Sequence, residues 1–499
     1  MASEAKEQTV VLRSSLPQYD PQHDEEPQQD DDDDRESSFS PTDRGGKAVM
    51  QILRLAGPGL FSCIMCLFME SCNTILIARN GTTLDLAAIG LGNLLVNCTA
   101  LSVALGISGA LDTFVSQAHG AQNYPLVAKY FDQCKLVLII HTGFCAAVFW
   151  IADGLLEGFG VDENVAKAAS RYTRLCSVGI FPLCMQLAIS SLLRNQLQIL
   201  VPSLISIVST LFHVFPAYFF ISSAGRGVDG AALANLITWS AQFLLLCVFL
   251  LHVSPELKQP RLRFFLFERR SLHGLMIYFY ICIPAVLMVC GEWWFWELTE
   301  LVAARLGPSA LAANVSMANV MMLTSPITNA VTGAAAALVG RSMGENAPKK
   351  AVLYMRAAVL VNLFGWIIVS LAIACFRNRL SEFYSPSDSS VAEKIATCLI
   401  ILAFFGPVNS TRTVLSGGLR GCGMQNTCFS VTFIVHYAIV LPVSLVLCFH
   451  FEFGLKGLWY SFLLGAELGV IALCYVIFRH ELKPELPAAD IHSARQKNV

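Results

Sequence analysis

Charge is what this sequence has least of. Only 14% of its 499 residues are Asp, Glu, Lys or Arg, against ~25% in ordinary soluble domains. With 55% of residues hydrophobic, that scarcity excludes a soluble globular protein of this length. Catalytic signatures are lacking as well. There is no Walker-type phosphate loop and no HExxH pair, so neither ATP hydrolysis nor zinc-peptidase chemistry is expected. Seventeen cysteines are scattered mainly through apolar stretches, where they behave as small hydrophobes rather than as a disulfide framework. Cys63-Ile-Met-Cys66 has CxxC spacing but no second pair. The chain reads as a non-enzyme with no metal, no organic cofactor and no nucleic-acid partner.

What is present is a series of long apolar blocks, and the fold class they predict is an all-α polytopic membrane protein with twelve transmembrane helices. Spans are expected at roughly 51–78, 86–108, 131–153, 167–193, 201–223, 229–253, 276–302, 310–337, 351–376, 391–415, 427–450 and 455–478. Each is long enough, at ~1.5 Å per residue, to cross a bilayer. Residues 1–46 are acidic and polar, with the run Asp30–Asp34, and are expected to form a disordered tail. No apolar stretch precedes it, so the first span is expected to direct insertion itself. Residues 47–253 would form an N-lobe, 254–275 a basic linker, 276–480 a C-lobe and 481–499 a C-terminal tail. Lys258, Arg261, Arg263, Arg269 and Arg270 of the linker, with Arg341, Lys349, Lys350 and Arg356, share one side with both termini. Basic loops mark that side as cytoplasmic.

The halves repeat. Ala56-Gly-Pro58 returns as Cys282-Ile-Pro284 after 226 residues, and Leu86-Ala-Ala88 as Leu311-Ala-Ala313 after 225. Val115–Gly120 returns as Val339–Gly344 after 224, Pro216 as Pro442 after 226, and Gly230 as Gly457 after 227. A steady offset over five landmarks predicts two pseudo-symmetric six-helix lobes, related by an axis along the membrane normal.

Acids inside spans are the candidate functional groups, because an ionised side chain at mid-bilayer costs roughly 2.5–3.5 kcal/mol or more. Span seven carries Glu292-Trp-Trp-Phe-Trp-Glu297 and Glu300 in an otherwise uncharged run. On a helix Glu292 and Glu297 point about 140° apart, with Glu300 about 60–80° from each. Trp293 and Trp296 beside them offer ring faces that, with carboxylates, attract organic cations. Under the repeat, Glu70 of span one maps within a residue of Glu297, and Asn73 lies one turn further. Glu70 and Asn73 are therefore an N-lobe ion-site candidate. Arg412 is expected either to pair with an acid or to snorkel to an interface. His141, His213 and His436 read as hydrogen-bonded core histidines, and Asp112 as a cap for the turn after span two. Gly106-Ile-Ser-Gly109 resembles the serine element of rhomboid proteases, but no histidine-rich span accompanies it.

Several motifs together resemble the eukaryotic branch of the multidrug and toxic compound extrusion family. They are Glu292-Trp-Trp-Phe-Trp-Glu297, Asp112-Thr-Phe-Val-Ser-Gln-Ala-His-Gly-Ala121, Arg341-Ser-Met-Gly344 with Lys350, and Leu415-Ser-Gly-Gly-Leu-Arg-Gly-Cys-Gly-Met-Gln425. The resemblance covers about residues 47–480. It implies antiport of organic cations against protons or sodium, with Glu292 and Glu297 at the coupling site. Asn409 stands where relatives carry a further glutamate, and Glu70 where eukaryotic relatives tend to be uncharged.

The resulting expectation is a secondary antiporter exporting organic cations or xenobiotics in exchange for protons by alternating access. Its substrate and proton site would comprise Glu292, Glu297, Trp293, Trp296, Asn409, Asn314 and Asn319, with Glu300 and Arg412 nearby. The alternatives are sodium coupling and efflux of an organic anion, a carboxylate or phenolic conjugate, which Arg412 and Asn409 favour. A small-molecule substrate and membrane lipid are the expected partners of a monomer in a plasma, vacuolar or other organellar membrane.

Overall fold

The computed structural model describes residues 41–253, 274–386 and 388–479, and among them every regular element is helical. Most of the acidic tail, residues 254–273 of the basic linker and residues 480–499 of the C-terminal tail lie outside the described residues. Among the described residues twelve helices are long and apolar enough to cross a membrane. They are α1 (Pro41–Asn80), α2 (Thr83–Gly120), α3 (Tyr124–Trp150), α4 (Glu163–Asn195), α5 (Leu200–Ser223) and α6 (Gly227–Leu251). The second set is α7 (Leu275–Arg305), α8 (Pro308–Gly344), α9 (Pro348–Tyr384), α10 (Ser389–Gly421), α11 (Gln425–His450) and α12 (Leu455–Arg479). Helix α1 begins at Pro41, within the stretch read as tail.

The outer surface is apolar. Phe215 is 80% exposed, Phe364 69% and Phe404 67%, a surface that suits lipid and not water. Several helices depart from the regular ladder. Prolines sit inside α1 (Pro58), α4 (Pro182), α7 (Pro284) and α10 (Pro407), each removing one ladder hydrogen bond. Wider π-helical turns occupy Val96–Leu101 in α2, Tyr218–Ser223 in α5, and Ile434–Val440 and Val446–His450 in α11.

The repeat has a packing basis. A Cβ at Gly230 would fall 2.7 Å from the Phe220 backbone, and one at Gly457 would fall 2.8 Å from that of Leu447. Only glycine lets the hairpins α5–α6 and α11–α12 close so tightly.

Leading helices cross between lobes. Tyr278, Ile281 and Cys282 of α7 belong to the hydrophobic core of the N-lobe, among α2, α3 and α4. Reciprocally, Ala48, Ile52, Leu55 and Ala56 of α1 sit in a C-lobe core with Ala334, Tyr354 and Leu419. A second C-lobe core gathers Phe295, Ile395, Leu399, Trp459 and Phe462.

The lobes meet along α2, α7, α8 and α10. The turns α2–α3, α4–α5, α8–α9 and α10–α11 lie on the face from which α1 enters, the proximal face hereafter. There a Cβ at Gly120 would lie 2.1 Å from the Arg341 carbonyl oxygen, and one at Gly344 2.0 Å from that of Gln117. Further in, the Tyr278 hydroxyl donates to the Ile107 carbonyl at 2.9 Å, and Ser102 Oγ lies 3.4 Å from Cys290 Sγ. Beyond that level no hydrogen bond or ion pair joins the lobes among the described residues. Replacing Gly344 with valine is expected to destabilise the closed seam by about 1–3 kcal/mol, as overpacking does. A lowered thermal midpoint in detergent checks this; an unchanged one would mean the seam yields freely.

Candidate substrate and ion site

The acids of α7 divide by direction. Glu292 turns into the C-lobe, where its Oε1 accepts from Arg412 Nη2 of α10 at 2.7 Å. Arg412 is 3% exposed and Glu292 29%, so the cation is the more deeply buried of the pair. Asn409 fixes the guanidinium, accepting from Arg412 Nε at 3.1 Å. Gly469 of α12 leaves the room Arg412 needs, since a Cβ there would lie 2.6 Å from Arg412 Cδ. His436, in the π-helical part of α11, packs edge-on to Phe295 at 4.6 Å and lies within electrostatic reach of Glu292. Tyr437, next to it, donates to the Gly291 carbonyl at 2.7 Å.

Aromatic residues make the rest of the wall. Trp296 meets Phe405 and Phe462 edge-on, at 6.5 and 5.1 Å between centroids. With Asn409, Arg412 and His436 they line a narrow cleft of about 10 Å³, room for about one water. Phe295 is buried, Trp293 half-buried and Trp294 exposed, so the aromatic run does point several ways. Trp293, Asn314 and Asn319 are not among the residues lining this cleft. Asn314 is buried with its Oδ1 unpartnered, and Asn319 is exposed.

Glu297 turns the other way. It is exposed, with Glu300 half-buried beside it, and it comes within electrostatic reach of Cys98 of α2 across the space between lobes. Neither Glu297 nor Glu300 has an ion-pair partner among the described residues. The 140° fan read from the sequence thus separates one neutralised carboxylate from one open to the cavity.

The N-lobe candidate is a buried hydrogen-bond chain. Asn73 Nδ2 donates to Asn235 Oδ1 at 2.8 Å, and Asn235 Nδ2 donates to the Tyr172 hydroxyl at 3.2 Å. That hydroxyl donates to Asn93 Oδ1 at 2.7 Å. His213 Nε2 lies 3.0 Å from Asn73 Oδ1 and Nδ1 lies 2.7 Å from Thr238 Oγ1. The Asn73 amide oxygen can only accept, which puts a proton on Nε2. Glu70, half-buried, stands within electrostatic reach of Tyr172 and has no cation partner among the described residues. Five helices converge on this chain, and the sequence reading found only Glu70, Asn73 and a lone His213. Uncharged Asn, Thr and Tyr inside spans were the available signal. Asn73→Ala leaves buried partners unsatisfied and is expected to cost about 1–3 kcal/mol, read as a lower thermal midpoint in detergent.

Asp112 is not a turn cap. It is 3% exposed and accepts from Arg194 Nη2 and Asn195 Nδ2, each at 3.0 Å. A buried carboxylate requires such donors.

Two six-helix halves, polar clusters buried in each, and an acid facing the space between them are the build of a multi-pass membrane transporter. The MatE family model matches residues 58–219 and again 284–446, the same spacing as the repeat. The chain belongs to the MatE family, whose members are transporters and not enzymes, and is an integral multi-pass membrane protein. It is 27% identical over 430 residues to Protein DETOXIFICATION 16 of Arabidopsis thaliana, covering 85% of this chain and 87% of that one. It is 24% identical over 447 residues to Multidrug and toxin extrusion protein 1 of Homo sapiens, covering 90% and 77%. Its fold matches the crystal structure of the eukaryotic MATE transporter AtDTX14 with a TM-score of 0.80 at 19% identity, covering 90% of this chain and 99% of that one.

Proposed function

We propose that this transporter exports a small organic cation in exchange for protons, with the proximal face cytoplasmic. The observation that carries the reading is Glu297, exposed toward the interlobe space beside Glu300 and without a cation of its own among the described residues. An ionised carboxylate there attracts a cation. Protonation from the opposite side removes the charge and releases the cargo. Cation and proton thus compete for one group, and their different affinities for the two access states couple the fluxes. The repeated lobes supply the alternating access. The names of the human and Arabidopsis relatives, extrusion of toxins and detoxification, agree with export.

Glu70, against the N-lobe chain, is the second protonatable site in this reading. Protons are the coupling ion in this reading, because a single carboxyl that gains and loses a proton suffices for it. The protein would act as a monomer in lipid, in a plasma or organellar membrane.

One observation favours a second reading. Arg412 beside Asn409 puts a buried cation in the cleft wall, which suits an organic anion such as a carboxylate. Purified protein in sealed liposomes, given an imposed pH or sodium gradient, separates these readings. Uptake driven by the pH gradient and inhibited by cationic but not anionic compounds is expected. Inhibition by anions alone would replace the first reading with the second.

A further inference from the structure

The seam at the proximal face carries an ion-pair arrangement that spans the lobes. Asp112 of α2 is held by Arg194 and Asn195 of its own lobe through Oδ1, each at 3.0 Å. Its other oxygen, Oδ2, faces Arg420 Nη2 of α10 in the opposite lobe at 3.8 Å. Around it, Thr113 Oγ1 donates to the Arg420 carbonyl, and Gln117 Nε2 to that of Gly421 at 2.8 Å. Gln425 donates back to Thr113. Helix α8 closes the other side so tightly that a Cβ at Gly340 would fall 1.9 Å from Ser116 Oγ.

We propose that Arg420 is the releasable half of a latch on Asp112, and that breaking this contact opens the transporter toward the proximal face. The proposal rests on the alternating-access reading above. Three features make the contact fit for repeated breaking. First, Asp112 keeps Arg194 and Asn195 when the lobes part, so opening strands no buried carboxylate. Second, two arginines share one carboxylate, and water takes over the surplus charge of Arg420 as soon as it is exposed. Third, Gln117 Oε1, Gln425 Oε1, Arg420 Nε and Asn195 Oδ1 are buried without partners in the closed seam. Each gains a hydrogen bond on hydration. A groove of about 140 Å³, bounded by Leu197, Arg341, Glu345 and Lys350, lies against the proximal end of α8. Among the described residues the closed seam thus joins the lobes by short backbone approaches and by the Asp112–Arg420 charge contact. Arg420 is a positioning residue, touching no cargo.

The test uses full-length protein carrying Ser116→Cys as a reporter in the seam, reconstituted without any gradient. Labelling of Cys at position 116 by a maleimide is followed by peptide mapping, which separates it from the native cysteines. Arg420→Ala is expected to raise the labelling rate about tenfold, and Arg420→Lys to restore most of the protection. Where flux is measured, Arg420→Ala should raise the KM for compound offered at the opposite face several-fold with kcat nearly kept. The competent state is then less populated before binding. Thr113→Val, which removes two cross-lobe hydrogen bonds without a charge, should give a smaller increase and serves if Arg420→Ala does not fold. Labelling unchanged from parent in both variants would overturn the latch while leaving the transport reading intact. Raised labelling in a protein that moves no compound would support the latch and count against the transport reading alone.

Discussion

Replacing Glu297 with glutamine is expected to abolish pH-driven exchange, with uptake falling at least tenfold into sealed vesicles that hold folded protein. Glutamine keeps the shape of the side chain and removes the one property the mechanism uses, a charge that a proton cancels. Folding should hardly change, because Glu297 is exposed and makes no ion pair among the described residues. A loss of flux with an unaltered thermal midpoint therefore isolates coupling from stability. The sign of the pH dependence follows from the same group. Acidifying the compartment into which cargo is released favours the protonated, neutral carboxyl and should speed release. The parent should accelerate under that gradient and Glu297→Gln should not. Full transport by Glu297→Gln would remove the proposed site.

Arg412 carries the second large effect, and it acts on stability as well as on selectivity. Removing one member of a buried ion pair leaves its partner charged in a medium that solvates it poorly, a loss of about 3–5 kcal/mol for fully buried pairs. Glu292 is 29% exposed, so the lower part of that range is the expectation for Arg412→Met. The double variant Arg412→Met with Glu292→Gln removes both charges and should recover much of the loss. That recovery, measured by thermal unfolding in detergent, distinguishes a stranded charge from poor packing against Gly469. Selectivity should move in a defined direction too. Arg412→Met leaves Glu292 without its cation, so affinity for cationic compounds should rise, while any inhibition by anions should disappear. An Arg412→Met protein that is no less stable than the parent would mean that Glu292 gives up its charge freely.

These two residues also mark how far a sequence reading reaches. Hydropathy located twelve spans because a bilayer demands about twenty apolar residues from every crossing helix, a local property of each segment. The constant offset near 226 residues exposed the two lobes because Gly230 and Gly457, or Gly120 and Gly344, meet the same steric demand twice. Helical periodicity even anticipated that Glu292 and Glu297 face different ways. Charge inside a span singled out Glu70, Glu292 and Glu297, since such residues are rare in lipid.

Partnership was another matter. Arg412 lies 120 residues from Glu292, and no local pattern told pairing from snorkelling. Asp112 looked like a turn cap, while its partners come from the end of α4 and from the opposite lobe. The N-lobe chain members Asn93, Tyr172, Asn235 and Thr238 escaped notice because neutral polar residues carry no penalty large enough to stand out. His436 became part of the cleft only through the packing of α11 against α7. By itself the sequence determined which segments enter the membrane, how many there are and that they form two copies of one lobe, since each depends on side chains read along a single helix. Tertiary structure alone decided which buried charges neutralise each other and which stay open to the cavity, because that depends on distances between helices far apart in the chain.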